Sequence, residues 1–294
     1  MVAVSVIIRT YNEQRHLRAL LQGVASQRLP GRQIETIIVD SGSTDDTLRI
    51  AADFPVKVIP IRKQEFSFGC SLNIGCRAAS GETLVFVSGH CIPKTPSWVR
   101  DLVEPLGRDS IAYVYGGQLG NESNHFSERQ IFSKYFPDED KCPQEGFYCN
   151  NANAALQRKV WNEHPFDEEL TGLEDMHLAK RLVAQGYKIA YVARAAVYHL
   201  HDESWAQVRH RFEREAIALQ HIMPEVHLSL PDVVRYFTSA VLLDVGLALQ
   251  SRALKRNLLS ILAYRFHQFA GGYKGNHSHR ALSQRRKDAF FYPR

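Results

Sequence analysis

The chain has 294 residues, of which 45% are hydrophobic and 23% are charged. That is enough chain for one large domain with an appendage, and the composition excludes a disordered or fibrous protein. The first strand-like run starts at Val4 with no basic or cleavable segment before it. The longest apolar run, 236–249, is too short to cross a bilayer and contains Asp244. We therefore expect a cytoplasmic protein that does not span a membrane.

The cysteines indicate neither a disulfide framework nor a zinc knuckle. There are five of them, an odd number, and no two are spaced as CxxC. Reduced thiols in a cytosolic enzyme are the better interpretation of that pattern.

The net charge of +5 is distributed unevenly. From Arg252 to the end there are ten Lys/Arg and one acid, while the rest of the chain has 26 Lys/Arg and 30 acids. A basic segment on a mildly acidic body indicates an anionic partner, such as lipid headgroups, a phosphorylated substrate or nucleic acid. No helix–turn–helix, RNP or zinc motif accompanies the charge, which argues against nucleic acid.

Strand-like and helical patterns alternate through the first part of the chain. The β-rich runs are Val4–Ile8, Glu35–Val39, Lys57–Ile59, Thr83–Val87 and Ile111–Tyr115. Between them, helical apolar faces are formed by Leu17, Leu20, Leu21 and Val24; by Thr47, Leu48 and 50–52; by Leu72, Ile74 and Ala78; and by Trp98, Leu102 and Val103. This alternation predicts βαβ units and an α/β fold with a doubly wound, mostly parallel sheet.

Polar segments follow the predicted strands. They are Arg9–Glu13, Asp40–Asp45, Pro60–Cys70 and Ser88–Cys91. Ligands of such sheets bind beyond the carboxyl ends of the strands, so we expect these segments to line one cleft.

The remainder predicts a second part and then a helical region. Up to Ser204 the chain contains the pair Asn150-Asn151, a helix starting near Glu174 and a strand at Ala195–Tyr198. Two later helices have predicted apolar faces formed by Val208, Phe212, Ala216 and Leu219, and by Leu254, Leu258, Ile261, Leu262, Phe266 and Phe269. The expected organisation is a domain of 1–204, with halves 1–117 and 118–204, followed by a basic helical region, 205–294.

The strongest motif is the segment Ile37–Thr47. A buried strand carries Asp40 to the edge of the sheet, Gly42 permits a tight turn, and Ser43 or Thr44 can cap the next helix. Alone, this is also the pattern of an ordinary strand–turn–helix link. The segment Ser5–Glu13, thirty residues earlier, shifts the balance towards a binding function.

Together these motifs resemble the family 2 glycosyltransferases of the GT-A fold, and most closely their bacterial rhamnosyltransferase-like branch. The matching segments are Ser5–Asn12, Ile37–Asp45, Leu72–Gly75, Ser88–His90, Tyr115–Gln118, Pro165–Glu168, Glu174–Asp175, Arg181–Tyr187 and Ala196–Asp202. The resemblance implies an inverting transferase that moves a hexosyl or deoxyhexosyl group from a nucleotide-sugar donor to a hydroxyl of a glycan or lipid-linked acceptor. Bacterial surface polysaccharide or glycolipid synthesis would be its setting.

The resemblance also implies a set of donor-binding residues. They are Arg9, Thr10, Tyr11, Glu13, Asp40, Ser41, Ser43, Asn73, Ser88, Gly89 and His90. The chain departs from the family pattern at three positions: Arg9 replaces a Pro, Ser41 an Asp, and Leu72 an Arg. The nucleotide base and the sugar therefore stay open.

A divalent metal, Mn or Mg, is the implied cofactor, and its usual DxD motif is altered here to Ser88-Gly89-His90. His90 occupies the position of the metal-ligating Asp, and imidazole suits Mn better than Mg. Alternatively, His90 is a neutral hydrogen-bond donor and no metal is used. The family places a metal or phosphate contact at the first of two histidines like His199 and His201, and a structural role for each is the other interpretation.

Glu174 and Asp175 open a predicted helix, where acids commonly interact with the helix dipole. The family assigns the general base to the Asp of this pair, so the resemblance makes Asp175 catalytic, with Glu174 beside it. The altered DxD also permits a degenerate domain that binds nucleotide or sugar without turnover. The retained acid pair argues against that alternative.

The basic end of the chain suggests peripheral association with the inner face of an anionic membrane. Arg285–Lys287 lies beside Phe290–Tyr292, after the amphipathic helix 254–269. Packing of that helix on the transferase domain, or on a second copy as a homo-oligomer through the C-terminal helices, is the competing prediction.

Overall fold

The structure, a computed structural model, describes residues 2–278 and 290–291. Its main feature is an eight-stranded sheet. The strands are β1 (Val2–Thr10), β2 (Gln33–Asp40), β3 (Lys57–Pro60), β4 (Thr83–Ser88), β5 (Cys91–Pro93), β6 (Ile111–Leu119), β7 (Asn153–Gln157) and β8 (Lys188–His199).

The sheet is mostly parallel, and its order is β3-β2-β1-β4-β7-β6-β8-β5. β7 is antiparallel to both of its neighbours, and β5 is antiparallel to β8, while the other pairs are parallel. The five β-rich runs of the first part of the chain are confirmed as β1, β2, β3, β4 and β6, and the strand predicted at Ala195–Tyr198 is confirmed as part of β8. The sequence pattern did not predict β5 or β7, because each is short and lacks polar–apolar alternation.

The α-helices of the described residues are α1 (Leu17–Ala25), α2 (Thr47–Ala51), α3 (Phe68–Ala78), α4 (Trp98–Val103), α5 (Phe126–Tyr135), α6 (Arg158–Glu163), α7 (Glu174–Ala184), α8 (Trp205–Ile222), α9 (Leu230–Gln250) and α10 (Leu254–Asn276). The apolar face predicted for α1 is confirmed, since its four residues are all buried. In α3 the buried face contains Leu72, Gly75 and Cys76, whereas Ile74 is half-buried. A Cβ at Gly75 would lie 2.5 Å from Ile7 Cγ2, so glycine lets this helix approach β1.

The contacts divide the chain into two compact units. The sheet unit comprises the residues up to Leu119, Phe136–Leu170 and Glu174–His199. The helical unit comprises Gly120–Tyr135, Thr171–Leu173 and the residues from Leu200 onward. Helix α5 therefore groups with the C-terminal helices.

Helices α8 and α10 form the main contact of the helical unit. Cβ atoms at Gly271 and Gly275 would lie 2.3 Å from Arg209 O and 2.2 Å from Glu213 O, so α10 meets α8 through two glycines. The apolar face predicted for α10 is confirmed only in part: Ile261 is buried, but Tyr264 and Arg265 are buried with it, and Leu258, Leu262 and Phe266 are exposed. In α8, likewise, Glu213, Ile217 and Ala218 are buried with Val208, while Phe212 and Leu219 are only half-buried.

Among the described residues, the helices lack the combination of length and apolar character that crossing a bilayer requires. The basic run Arg285–Lys287 and Tyr292 lie outside the described residues. Phe290 is buried and meets the ring of His210 on α8 edge to face, with the centroids 6.3 Å apart.

Candidate active site

The loops after β1, β2 and β4 meet at the carboxyl edge of the sheet, because these strands are adjacent and parallel. Thr10 is in register with Asp40, and Arg9 with Ser88. Lys63 of the segment after β3 donates to the hydroxyl of Tyr11, at 2.7 Å. The expectation that the four polar segments lie together is confirmed.

Asp40 organises the loop that follows it. Its buried carboxylate accepts hydrogen bonds from the Thr10 hydroxyl (2.9 Å), the Ser43 hydroxyl (2.6 Å) and the backbone N–H groups of Gly42 and Ser43 (3.0 and 2.9 Å). Gly42 takes a φ of +86°, a conformation that glycine adopts without strain. Ser41 is buried as well, and its hydroxyl donates to the carbonyl oxygen of Thr10 at 3.1 Å.

Asn12 ties the first loop to the second. Its own φ is +57°, its N–H donates to Ser43 Oγ (2.8 Å), and its Oδ1 accepts from the N–H of Thr44 (2.8 Å). These reciprocal bonds hold the backbone of both loops, which pre-organises the polar rim of the sheet.

Ser88-Gly89-His90, in place of the DxD motif, sits against the first loop. The N–H of Gly89 donates to Arg9 O at 3.2 Å, and a Cβ at Gly89 would lie 2.7 Å from Glu13 Cγ. A side chain at this position would therefore require the Glu13 side chain to move. His90 Nδ1 lies 2.7 Å from Glu13 Oε1, so this carboxylate faces the imidazole.

His90 and His199 face one another through their Nε2 atoms, which are 3.1 Å apart. Each Nδ1 has an oxygen partner, Glu13 Oε1 at 2.7 Å for His90 and Gln118 Oε1 at 2.6 Å for His199. Gln118 Nε2 donates to Asn150 Oδ1 (3.0 Å), which orients the oxygen of that amide towards His199. Both Nδ1 atoms are therefore donors, and two neutral rings would direct Nε2 lone pairs at each other.

Such a pair needs a positive charge between its nitrogens. An imidazole whose Nδ1–H is held by a carboxylate or amide oxygen is the usual form of a metal-ligating histidine. The two rings thus fit a divalent ion, and they equally fit a shared proton.

His201 belongs to the helical unit, where its Nδ1 lies 2.7 Å from Glu128 Oε1. Glu128, His201 and Glu203 together have ligand atoms within 4.8 Å of one another. Arg211 already occupies this cluster: it donates to Glu128 Oε1 (2.7 Å) and, through Nε and an Nη atom, to Glu203. The guanidinium supplies the charge that a metal would otherwise bring.

Glu174 and Asp175 begin α7 and are both buried. Asp175 Oδ2 accepts from the N–H of Asn151 (2.7 Å), and Arg9 reaches Glu174 Oε1 with a single contact of 3.4 Å. The guanidinium of Arg9 also lies over the ring of Phe68, 4.9 Å from its centroid. Arg9 is therefore the cation of this acid pair, although its contact is long.

Burial, and then the charge of Glu174, raise the pKa of Asp175 to about 7. Hydrogen bonds from Asn151 and Met176 and the charge of Arg9 oppose that rise without cancelling it. A carboxyl group with a pKa near the working pH suits proton transfer, since it is both available and basic enough.

Asn73 uses its whole amide inside the protein. Its Nδ2 donates to Phe166 O (2.9 Å) and Glu168 Oε1 (2.8 Å), and its Oδ1 accepts from Trp161 Nε1 (2.9 Å) and the N–H of Phe166 (3.1 Å). The residue thus positions the segment around Phe166, which packs on Phe86 of β4.

Sequence reasoning did not assign roles to two residues that the structure places in the site, Asn151 and Gln118. Asn151 holds Asp175 and contacts Glu174, and its Oδ1 accepts from the hydroxyl of Tyr113. Gln118 holds His199. The signals were the adjacent Asn150-Asn151 and the Gln after a strand, neither of which reveals its partner.

A doubly wound sheet with linked loops and a buried acid pair at its carboxyl edge is the arrangement expected of a nucleotide-sugar-dependent glycosyltransferase. The family model of glycosyl transferase family 2 matches residues 5–164. This chain belongs to glycosyl transferase family 2.

Two relatives with similar sequences are O-antigen chain rhamnosyltransferases. RfbN of Salmonella typhimurium is 27% identical over 213 residues, covering 68% of this chain and 67% of that protein. WbaN of Salmonella anatum is 29% identical over 201 residues, covering 64% and 63%. The chain thus spans about two thirds of the length of these relatives, and it is a glycosyltransferase related to them.

Similar solved structures confirm the GT-A fold. The mannosyltransferase PcManGT from Pyrobaculum calidifontis, solved with GDP-Man and Mn²⁺, has a TM-score of 0.64 at 18% identity, covering 94% of this chain and 88% of that one. TarS 1-349 of S. aureus has a TM-score of 0.56 at 17% identity, covering 95% and 93%.

Proposed function

We propose that this chain is an inverting transferase that moves a hexosyl or deoxyhexosyl group from a nucleotide sugar to an acceptor hydroxyl. Bacterial surface polysaccharide or glycolipid synthesis is the proposed setting, supported by the names of the O-antigen relatives. The acceptor would be a glycan or a lipid-linked glycan. The observation that carries the proposal is the buried Asp175 carboxyl group, with its pKa of about 7, beside the loops at the sheet edge.

In the proposed reaction the acceptor oxygen forms a bond to the anomeric carbon while the bond from that carbon to the diphosphate oxygen breaks. Asp175 takes the proton of the hydroxyl, and the nucleoside diphosphate leaves with the bonding electrons. One displacement inverts the anomeric centre. Glu174 is proposed to keep Asp175 basic, since its charge raises the pKa of that carboxyl.

The proposed donor site consists of the loop residues at the carboxyl edge. Arg9, Thr10, Tyr11, Glu13, Ser41, Ser43, Ser88, Gly89 and His90 stay in that proposal. Asp40 and Asn73 join it as positioning residues, because their side chains bond within the protein. The GDP-Man complex of PcManGT supports a nucleotide-sugar site in this fold.

A divalent ion, Mn or Mg, would be held by His90 and His199. Their Nε2 atoms face each other and their Nδ1 atoms are both bound to oxygen acceptors, which suits neutral ligating rings. Mn²⁺ in the PcManGT structure supports such an ion, and imidazole ligands favour Mn over Mg. When bound, the ion would neutralise charge on the diphosphate. His201 as a further ligand stays a prediction of the sequence.

The proposal includes a cytoplasmic protein at the inner face of a membrane, with peripheral attachment, and no nucleic-acid partner. A homo-oligomer through the C-terminal helices stays the alternative use of that region. The proposed boundary between transferase and helical parts falls near residue 204.

The test is a panel of nucleotide sugars incubated with the full chain and a lipid-linked acceptor, with nucleotide release and the anomeric configuration of the product as readouts. Release of nucleotide and an inverted product are expected. Retention at the anomeric carbon would contradict the single displacement. Donor binding without any release would instead favour a domain that holds the donor without turnover.

A further inference from the structure

Helix α9 is apolar around most of its circumference and is largely exposed. The side chains of Leu242 and Leu243 are 64% and 68% exposed, although they leave the helix in different directions. Val234, Tyr236, Leu247 and Leu249 are exposed as well. A helix with this pattern is normally covered on all sides, so a partner is required.

The single carboxylate in the second half of α9 is neutralised inside the unit. Asp244 is buried and accepts two hydrogen bonds from Arg265 of α10, at 2.8 and 2.9 Å. Residues 236–250 therefore offer a surface without net charge, roughly 22 Å long at 1.5 Å per residue. That length is less than the roughly 30 Å of a hydrocarbon core, so the stretch suits one side of a bilayer.

Basic side chains surround this apolar surface. Between residues 233 and 278 there are six Lys/Arg and one acid, the buried Asp244. Arg252, Lys255 and Arg256 are exposed, and so is Arg235, although one of its Nη atoms lies 3.9 Å from Asp232 Oδ1. Apolar side chains flanked by cations match the interface of an anionic bilayer.

A polar cavity of about 680 Å³ adjoins the α9–α10 turn, and two of its lining residues are Arg129 and Arg256. The buried Nε of Arg129 makes no hydrogen bond to the described residues. The other polar lining residues are Glu122, Asn124, Gln130, Gln250, Ser251 and Asn257, and the apolar ones include Leu247 of α9. Two guanidinium groups and several amides suit a phosphate group, and Glu122 limits the positive charge.

We propose that α9 and the α9–α10 turn dock on a bilayer of anionic phospholipids, with Arg129 and Arg256 receiving a headgroup phosphate. A symmetric contact between two copies would bring like cations together, which disfavours a second copy as the partner. This inference rests on the peripheral membrane attachment included in the proposed function. Vesicle binding can be measured without donor or acceptor, so it is tested separately from the transfer reaction.

The test is co-sedimentation of the full chain with phosphatidylcholine vesicles and with vesicles that also contain phosphatidylglycerol. We expect binding to the anionic vesicles only, weakened by salt. Leu242→Asp/Leu243→Asp should reduce it by at least about tenfold, because two exposed apolar contacts are replaced by charge. Arg129→Gln and Arg256→Gln should each reduce it about fivefold.

The matched control is Leu48→Asp, a 41% exposed leucine of α2 in the sheet unit, which should bind vesicles as the unchanged chain does. Unchanged thermal unfolding would establish that the variants fold. Equal binding to neutral vesicles, no binding at all, or full binding by the arginine variants would overturn the proposal. The proposal would also be overturned if sedimentation equilibrium showed that the unchanged chain is a dimer and that the Leu242→Asp/Leu243→Asp variant is a monomer. Asp175→Asn should bind vesicles as the unchanged chain does, so a failure of the catalytic proposal can be told apart from a failure of the membrane proposal.

Discussion

The two units each contain two neighbouring carboxyl groups, and they shift the pKa values of these groups in opposite directions. Glu174 and Asp175 of the sheet unit and Glu128 of the helical unit are buried, while Glu203 is half-buried. In the sheet unit, burial and Glu174 raise the pKa of Asp175 to about 7. In the helical unit, burial alone would raise the pKa of Glu128, but His201 and Arg211 outweigh it and lower that pKa to about 2. The pKa of Glu203 is lowered too, with Arg211 outweighing burial.

The difference lies in the cation. Arg211 is close to both carboxylates of its unit, with hydrogen bonds between 2.7 and 3.1 Å, whereas Arg9 makes one contact of 3.4 Å with Glu174. Charge compensation makes the helical cluster structural, because its acids stay ionised at working pH. Incomplete compensation leaves Asp175 ready to accept a proton, as catalytic carboxylates require.

The largest expected effect is on turnover. Asp175→Asn keeps the size of the side chain but removes its basic oxygen, so turnover should fall by about 10²–10⁴-fold with little change in donor affinity. The matched control, Glu174→Gln, should be milder, because the proposed role of Glu174 is only to raise the pKa of Asp175. Steady-state kinetics with nucleotide release measure both. Near-wild-type turnover in folded Asp175→Asn would remove Asp175 from the mechanism.

A substitution in the cluster of Glu128, Glu203 and Arg211 should instead change the free energy of unfolding. Arg211→Gln leaves the buried carboxylate of Glu128 and the half-buried one of Glu203 without this cation, and removing one partner of a buried ion pair typically costs about 3–5 kcal/mol. Urea unfolding measures the change. Arg18→Gln, which breaks an exposed pair with Asp53, is the control and should cost no more than about 1 kcal/mol. Similar losses in the two variants would show that the buried network is not compensating charge as described.

The next prediction concerns whether a metal ion supplies the positive charge between the Nε2 atoms of His90 and His199. Glu13→Ala removes the carboxylate that faces His90 Nδ1, and loss of such a partner typically weakens metal affinity 10–100-fold. Titration calorimetry with Mn²⁺ measures it, and the exposed Glu82→Gln should bind as the unchanged chain does. Chelator should abolish turnover, with Mn²⁺ restoring it better than Mg²⁺. Undetectable Mn²⁺ binding and full turnover in chelator would favour a shared proton between the rings.

The pH profile sharpens the comparison further. Turnover should rise as pH increases through about 7, since Asp175 must be ionised to act as the base. Glu174→Gln should move this limb to lower pH, because it removes a charge that raises the pKa of Asp175. An unchanged limb in that variant would mean that another group controls it.

The smallest expected effect is on the pH dependence of the free energy of unfolding. The buried acids of the two units should change it in opposite directions as pH rises. The pKa of Asp175 is higher in the folded state than the usual 3.9 of an unfolded chain, so its ionisation destabilises the fold as pH rises from about 4 to 7. Asp175→Asn should therefore be more stable at pH 8, by about 1 kcal/mol or more, with the difference shrinking on acidification. The low pKa of Glu128 stabilises the fold above about pH 4 and loses that effect towards pH 2. Scanning calorimetry at several pH values measures both effects. If Asp175 and Glu128 changed the free energy of unfolding in the same direction as pH rises, the comparison would be contradicted.

The sequence by itself determined the first four strands, the helix α1 and the polar segments that follow the strands. Runs such as Val4–Ile8 and Glu35–Val39 have enough β-branched residues, and α1 enough periodicity, for local physics to identify them. Because β1 and β2 are parallel neighbours, their carboxyl ends lie at the same edge of the sheet, and Thr10 is next to Asp40. The resemblance of ordered motifs supplied the family, which the comparisons confirmed.

The tertiary structure alone decided which polar groups are partners and which helix faces are buried. Asn151 reaches Asp175, and Gln118 reaches His199, across 24 and 81 residues of chain, and no local pattern encodes such pairs. Helix α10 turns Gly271 and Gly275 to α8 because close backbone approach outweighs the burial of Leu258, Leu262 and Phe266. Whether a buried acid is a base or a structural anion depends on the distance to its cation, and that distance is a property of the packed fold.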